Sequence, residues 1–203
     1  MKKARLILTA LLIISLLPHV MVVQTAAAPA SGENKAIYVL PGYMGSRLYD
    51  SIGYEVWADM DVLTGDVFAY TAPGGNTSIL LQDPDGMGSK VRAESILDIF
   101  GAQDEYRDLM WKLKWEFTGS NTYKGIKYDV VFFPYNWLGD VNESAQLLAD
   151  DINSKGYDKV VLVTHSTGAL VAATYIASST ANQMKVEKAI LLAPPLFGTY
   201  VYK

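Results

Sequence analysis

The chain of 203 residues has no cysteine. Disulfides, thiolate metal sites and cysteine nucleophiles are therefore excluded. Histidine is nearly absent too: His19 and His165 are the only two. Beyond Ser166 there is no histidine and no aspartate, and Glu187 is the sole acid. No repeat or low-complexity tract follows the first 28 residues. Basic residues do not cluster beyond Arg5, and the formal net charge is −4. Such a surface disfavours nucleic acid and anionic lipid headgroups as partners. No pattern in the sequence asks for a cofactor. Aspartate and glycine do crowd the stretch from Arg47 to Phe100, but their spacing misses the calcium-loop pattern, and no metal site is expected.

At the start of the chain, basic Met1 to Arg5 precedes the apolar run Leu6 to Leu17, and Ala26-Ala27-Ala28 follows. That is the order of a secretory signal peptide cut near Ala28. The rival is an uncleaved anchor, since the apolar stretch extends to Val23. Lys2, Lys3 and Arg5 lie in this segment and no acid does, so cleavage takes the net charge from −4 to −7. Residues 29–203 then form one domain, with an apolar half large enough for a packed core. An exported chain without cysteine fits the exterior of a bacterium.

The centre of the chain is Ser166. Val160 to Val163 reads as a buried strand and Thr167 to Ser178 as a helix, while Thr164-His165-Ser166-Thr167-Gly168 leaves no room for a loop. A strand running straight into a helix pushes the apex residue out of the sheet. A serine there exposes its Oγ, and the next backbone N–H, that of Thr167, points at the same space. Small Gly168, Ala169, Ala172 and Ala173 let the helix lie close on the sheet. The alternative is a serine that only caps a helix.

Strands are expected at Lys35 to Leu40, Tyr128 to Pro134 and Val186 to Ala193, with shorter ones at Ser78 to Gln82 and Ser89 to Ala93. Helices are expected from Gln103 to Trp115, and from Asp140 to Lys155-Gly156. The alternation of strand and helix predicts an α/β fold: a doubly wound, mostly parallel sheet with flanking helices and right-handed crossovers. The glycine-rich Pro41-Gly42-Tyr43-Met44-Gly45-Ser46 directly follows the first of these strands, where its backbone could approach a ligand closely or simply turn. His165 should point away from the elbow and be buried as a packed structural residue rather than a catalytic base.

Four segments carry a resemblance to a known family. They are Pro41-Gly-Tyr-Met-Gly-Ser46, Phe133-Pro-Tyr-Asn-Trp137, Val163-Thr-His-Ser-Thr-Gly168 and Ala193-Pro-Pro-Leu-Phe-Gly-Thr199. In this order and spacing they resemble the lecithin:cholesterol acyltransferase family of α/β-hydrolases, over about Lys35 to Thr199. The resemblance implies an α/β-hydrolase fold, incomplete at the C-terminus, and a serine hydrolase or acyltransferase acting on lipid esters through a Ser–Asp–His triad. It makes Ser166 the nucleophile and gives the backbone N–H groups of Tyr43 and Thr167 to the oxyanion hole. Met44 and Trp57 become candidates for touching substrate, although Trp57 with Tyr54 and Met60 reads equally as core.

The chain departs from the family twice. Asn136-Trp137-Leu138 stands where the family commonly has Asp-Trp-Arg, so both charges are lost together. The triad acid and histidine, which follow the serine in this fold, are missing. The expected protein is thus a piece of a lipid-ester hydrolase or acyltransferase. It would contact membranes only through its substrate and needs no protein partner. A secreted, non-catalytic relative that binds lipid or protein is the competing expectation.

Overall fold

The structure, a computed structural model, describes residues 20–24, 33–49, 53, 55–57, 91–96, 99–100, 103–104, 106–118 and 127–198. The strands are β1 (Val20–Gln24), β2 (Lys35–Leu40), β3 (Ser46–Tyr49), β4 (Glu55–Trp57), β5 (Arg92–Ile96), β6 (Ile99–Phe100), β7 (Gln103–Asp104), β8 (Asp129–Phe132), β9 (Lys159–His165) and β10 (Val186–Leu192). The helices are α1 (Arg107–Phe117), α2 (Val141–Ser154), α3 (Gly168–Ser178) and α4 (Thr180–Lys185).

Five strands form the main sheet in the order β1-β10-β9-β2-β8. The last four are parallel, and β1 runs antiparallel along the edge of β10. This is the α/β architecture expected from the alternation of elements. Every residue of β2 is buried, because helices cover both faces of the sheet; Ala36 to Leu40 are accordingly a continuous run without charge, and Lys35 at the start is paired with Glu187. The pleat divides its side chains. Ala36, Tyr38 and Leu40 join Leu162, Leu148, Ile152, Val171 and Tyr175 under α2 and α3. Ile37 and Val39 join Val163 and Tyr128 on the other face, with Leu109, Met110 and Leu113 of α1 packed on them.

Local chemistry sets the helix ends. Asp140 caps α2, its side chain accepting from the Asn142 N–H at 2.7 Å. The helix stops at Gly156, whose φ of 68° is free for glycine and strained for other residues. The Tyr38 hydroxyl ties this helix to the sheet by donating to Asp151 at 2.7 Å. Ser179 caps α4 by accepting from Asn182.

One expected boundary needs correction, and two features are new. The first helix begins at Arg107, not Gln103, because Gln103–Asp104 pairs with Ile99–Phe100 as a short hairpin. The stretch from Arg47, which shows no period in the sequence, holds a second sheet in the order β4-β3-β5, antiparallel throughout. Val20–Gln24, inside the segment read as a signal peptide, forms strand β1. The strand expected at Ser78 to Gln82, together with Tyr54 and Met60, lies outside the described residues.

Candidate active site

The C-terminal ends of β2, β9 and β10 converge on one edge of the molecule. Each is followed by a non-glycine residue of positive φ: Met44 at 64°, Ser166 at 48° and Ala193 at 48°. A left-handed conformation costs such a residue about 1–2 kcal/mol, and strain of this kind gathers at functional sites.

Ser166 makes the turn from strand to helix alone. Its N–H still belongs to the sheet, donating to Leu192 O at 2.9 Å. Its C=O already belongs to the helix, accepting from the Ala169 N–H at 3.0 Å. One left-handed residue thus replaces a loop, as the spacing from Val163 to Gly168 requires. The side chain emerges at the N-terminus of α3, where the first N–H groups have no partner within the helix. The adjoining Thr167 N–H is among them.

Two glycines bring the neighbouring loop onto this elbow. A Cβ on Gly42 would lie 3.0 Å from His165 Nδ1 and 3.1 Å from Ser166 Cβ. One on Gly168 would lie 2.4 Å from Pro41 O and 2.8 Å from Leu40 O. The exit of β2 and the start of α3 therefore touch backbone to backbone. The loop itself is a tight turn closed by Gly45 N–H donating to Gly42 O at 3.0 Å, with Tyr43 and Met44 at its corners. Its position beside Ser166 is the one that an oxyanion role for Tyr43 requires.

Hydroxyl groups pin both sides. The Gly42 N–H donates to the Tyr106 hydroxyl at 2.8 Å, and that hydroxyl is 2.8 Å from His165 Nδ1. Either group is able to donate in that pair, depending on the imidazole tautomer. On the other side the Tyr135 hydroxyl donates to Pro41 O at 3.0 Å and lies 2.8 Å from Thr167 Oγ1, which must then be the donor of that pair. Strand exit, loop and helix start are so cross-linked by two tyrosines.

His165 is exposed, which corrects the expected burial. β9 extends through residue 165, and the side chain follows Val161 and Val163 onto the α1 face, beyond the reach of most of that helix. Among the described residues Tyr106 packs against it, with ring centroids 6.0 Å apart, and Gly42 lies along its edge. Its Nδ1 is engaged by the Tyr106 hydroxyl, and no carboxylate among the described residues bonds its ring to orient it as a triad would. Glu187 cannot serve either. Its neighbour Lys188 pairs with Val161, five residues before Ser166, so more than about 15 Å of strand separates the two. Glu187 instead holds buried Lys35 at 3.1 Å. Among the described residues no three histidine or acidic side chains gather as metal ligands.

Trp57 is buried, at 4 % exposure. It donates from Nε1 to Met44 O at 2.9 Å and stacks edge-on against Trp137. It buttresses the loop from below and does not line an entrance. Met44 is half-buried against the same core. Tyr43 is 44 % exposed, its ring edge-on to Trp137 at 4.8 Å. Asn136 is held at both ends of its side chain: its amide donates to Val91 O and its Oδ1 accepts from the Leu138 N–H. Two cavities flank the elbow. One of about 270 Å³ lies on the His165 side, between Tyr106, Leu109 and Leu192. The other, about 360 Å³, lies between Tyr43, Trp137, Leu138, Thr167 and Leu170.

No protein-family model and no curated protein matches the chain. Among solved structures it is similar to a chain of the Tle4–Tli4 complex, at 18 % identity and a TM-score of 0.45. That alignment takes in 74 % of this chain and 44 % of the other, so this chain spans less than half of its neighbour's length.

Tyr106 and Tyr135 were not singled out in the sequence. Tyr106 sits on the apolar face of a helix and reads as core, and Tyr135 lies unmarked within Phe133-Pro-Tyr-Asn-Trp137. Their hydroxyl partners lie 32 to 94 residues away, which no local pattern reveals.

Proposed function

We propose that the chain is the nucleophile-bearing part of a serine hydrolase or acyltransferase of lipid esters, with Ser166 as nucleophile. The observation that carries this is Ser166 at φ 48° between β9 and α3, with the backbone of Gly42 against its Cβ. Ser166 Oγ bonds to the acyl carbon while the bond from that carbon to the alcohol oxygen breaks. The hydroxyl proton passes through a base to the departing alcohol. The N–H groups of Tyr43 and Thr167 face the oxygen on which charge develops. Water or a second alcohol then takes the acyl group from the serine.

A serine hydroxyl needs a base, and the described residues place none beside Ser166. His165 is tied to Tyr106 and Glu187 lies at the far end of the sheet. Among the described residues no imidazole and carboxylate stand as the base and acid of a triad beside Ser166. Turnover by this chain alone should fall by several orders of magnitude, as triad deletions do. A protein that binds lipid without turnover would share the missing base but not a need for the strained serine.

The test is labelling of Ser166 by a serine-directed phosphonate, read by mass, beside hydrolysis of a short p-nitrophenyl ester, with Ser166→Ala as control. Slow labelling that the control abolishes, with ester hydrolysis no faster than the control, is expected. A folded chain whose Ser166 takes no label refutes the nucleophile. Rapid hydrolysis lost in Ser166→Ala shows that a base lies within the chain. The order of basic, apolar and small residues at the N-terminus supports export to the cell exterior. N-terminal sequencing of exported protein, expected to begin near Pro29, checks this, and retained Met1 refutes it.

A further inference from the structure

We propose that the cavity of about 360 Å³ beside Thr167 is an acyl-chain pocket, built for one uncharged hydrocarbon chain of medium length. This rests on the reading of Ser166 as the nucleophile and adds which part of the ester goes where.

Position is the first argument. Tyr43 and Thr167, whose N–H groups would flank the carbonyl oxygen, both line this cavity. A substituent on the same carbonyl carbon has its shortest path into it.

The second argument is chemistry. Among the described residues no charged side chain lines the cavity. Four of its polar side chains, those of Thr167, Tyr135, Asn136 and Trp137, are already engaged with one another or with backbone, and Tyr43 and Ser144 complete the polar lining. Thr167 donates to Tyr135 and Tyr135 to Pro41 O. Asn136 spans Val91 O and the Leu138 N–H, and Trp137 Nε1 donates to Ser46 O. A polar headgroup would find few unused partners and would lose its water, which is costly. A hydrocarbon loses nothing and meets Trp137, Leu138, Val141 and Leu170. The residue at 138 decides much of this. A cation at that position would project its charge into the same wall, whereas leucine presents only methyl groups.

Size and direction complete the case. At roughly 30 Å³ for a small group, the volume holds on the order of ten carbons. That is the low end of small-molecule pockets and too small for two long chains. Buried Tyr135, Trp137 and Ser144 lie along its inner side. An alcohol must leave toward solvent after the acyl group is transferred, so the inward pocket suits the acyl part and not the leaving group.

The experiment uses the full chain and a series of ethyl p-nitrophenyl alkylphosphonates, from methyl to hexadecyl. In each, Ser166 Oγ bonds to phosphorus, p-nitrophenolate leaves and the serine proton goes to water. The labelling rate should rise at least about tenfold from methyl to octyl, then level off or fall as the chain outgrows the pocket. Leu170→Trp, which fills the cavity, and Leu138→Arg, at its partly exposed rim, should bring the octyl-to-methyl ratio toward one. Leu147→Ser, on the exposed side of α2, should keep it. A wild-type rate independent of chain length overturns the pocket, whatever the variants do. A steep dependence unchanged in the folded Leu170 and Leu138 variants also overturns it and moves the chain to the His165 side. A folded chain that no phosphonate labels removes the nucleophile, and the pocket with it.

Discussion

Replacing Gly168 by alanine adds one methyl group at the tightest contact in the molecule. The new Cβ would lie 2.4 Å from Pro41 O, 2.8 Å from Leu40 O and 3.1 Å from Leu40 C. Ordinary carbon–oxygen contacts begin near about 3.3 Å, so the shortfall is roughly 1 Å. The opposing atoms are backbone and cannot rotate away. Either α3 must slide off β2 or the end of β2 must give. Overpacking of this kind costs about 1–3 kcal/mol. Alanine recovers up to about 1 kcal/mol of helix propensity, less at the first turn, so the net loss should be about 2 kcal/mol. With urea m-values of about 1–3 kcal/mol/M, the unfolding midpoint should fall by roughly 1 M. The site should suffer more than the fold. A displacement of 1 Å in positioned groups can cost on the order of 10²-fold in rate, and Thr167 sits between Ser166 and the methyl. Phosphonate labelling of Ser166 should therefore slow by more than about tenfold. Gly156→Ala is the control. Nothing lies within 4 Å of its new Cβ, and its only penalty is a φ of 68°, so it should lose about 1 kcal/mol and label normally. A Gly168→Ala midpoint within 0.3 M of wild type, as an order-of-magnitude criterion, or a destabilised protein that labels at the wild-type rate, would show that the backbone contact does not set the site.

Tyr106→Phe removes the hydroxyl that accepts from Gly42 and faces His165 Nδ1. It leaves a buried N–H without that partner, and should cost about 1–3 kcal/mol in urea unfolding and slow labelling of Ser166; a variant equal to wild type in both refutes the cross-link. Tyr175→Phe should do the reverse, because the buried Tyr175 hydroxyl has no hydrogen-bond partner among the described residues; a gain of about 1 kcal/mol at pH 7 is expected, and a loss refutes it. The same residue bears on alkaline unfolding. Burial pushes the Tyr175 phenol up to about 12 from 10.0, and burial, aided by Asp129, does the same for Tyr157. The folded protein keeps both protonated while the unfolded chain ionises above about pH 10. Stability should therefore be intact below pH 10 and fall between pH 10 and 12, by up to about 1.4 kcal/mol per pH unit for each group. Urea melts across that range should fall less steeply for Tyr175→Phe, and equal slopes would refute the assignment.

The parts visible in the sequence are those whose surroundings impose a pattern. β2, β9 and β10 are apolar runs because they sit inside the sheet. The α2 helix announces itself through Asp140 and Gly156. The elbow is legible because no loop fits between Val163 and Gly168. The short sheet β3–β5 was hidden for the opposite reason. Ser46–Tyr49 alternates for only four residues, and its partner Arg92–Ile96 lies far along the chain. His165 was misjudged because alternation places it correctly on the α1 face, while its exposure depends on where α1 begins. The Tyr106 and Tyr135 cross-links are tertiary hydrogen bonds, and an aromatic residue in an apolar stripe looks the same with or without one.

Strand β1 sets folding and export in competition. Val20–Gln24 pairs along five residues with β10, from Val20 opposite Leu192 to Gln24 opposite Lys188. A segment held in that ladder cannot at the same time be drawn out as an extended thread through a membrane channel. If these residues direct export, the chain must cross before its last strand closes on them, and holding the precursor unfolded becomes part of its route. If the proposed cut near Ala28 removed the segment, the outward N–H and C=O groups of β10 would lose their cover. An uncovered edge recruits other strands, so the mature protein should depend more heavily on whatever next lies beside Val186–Leu192.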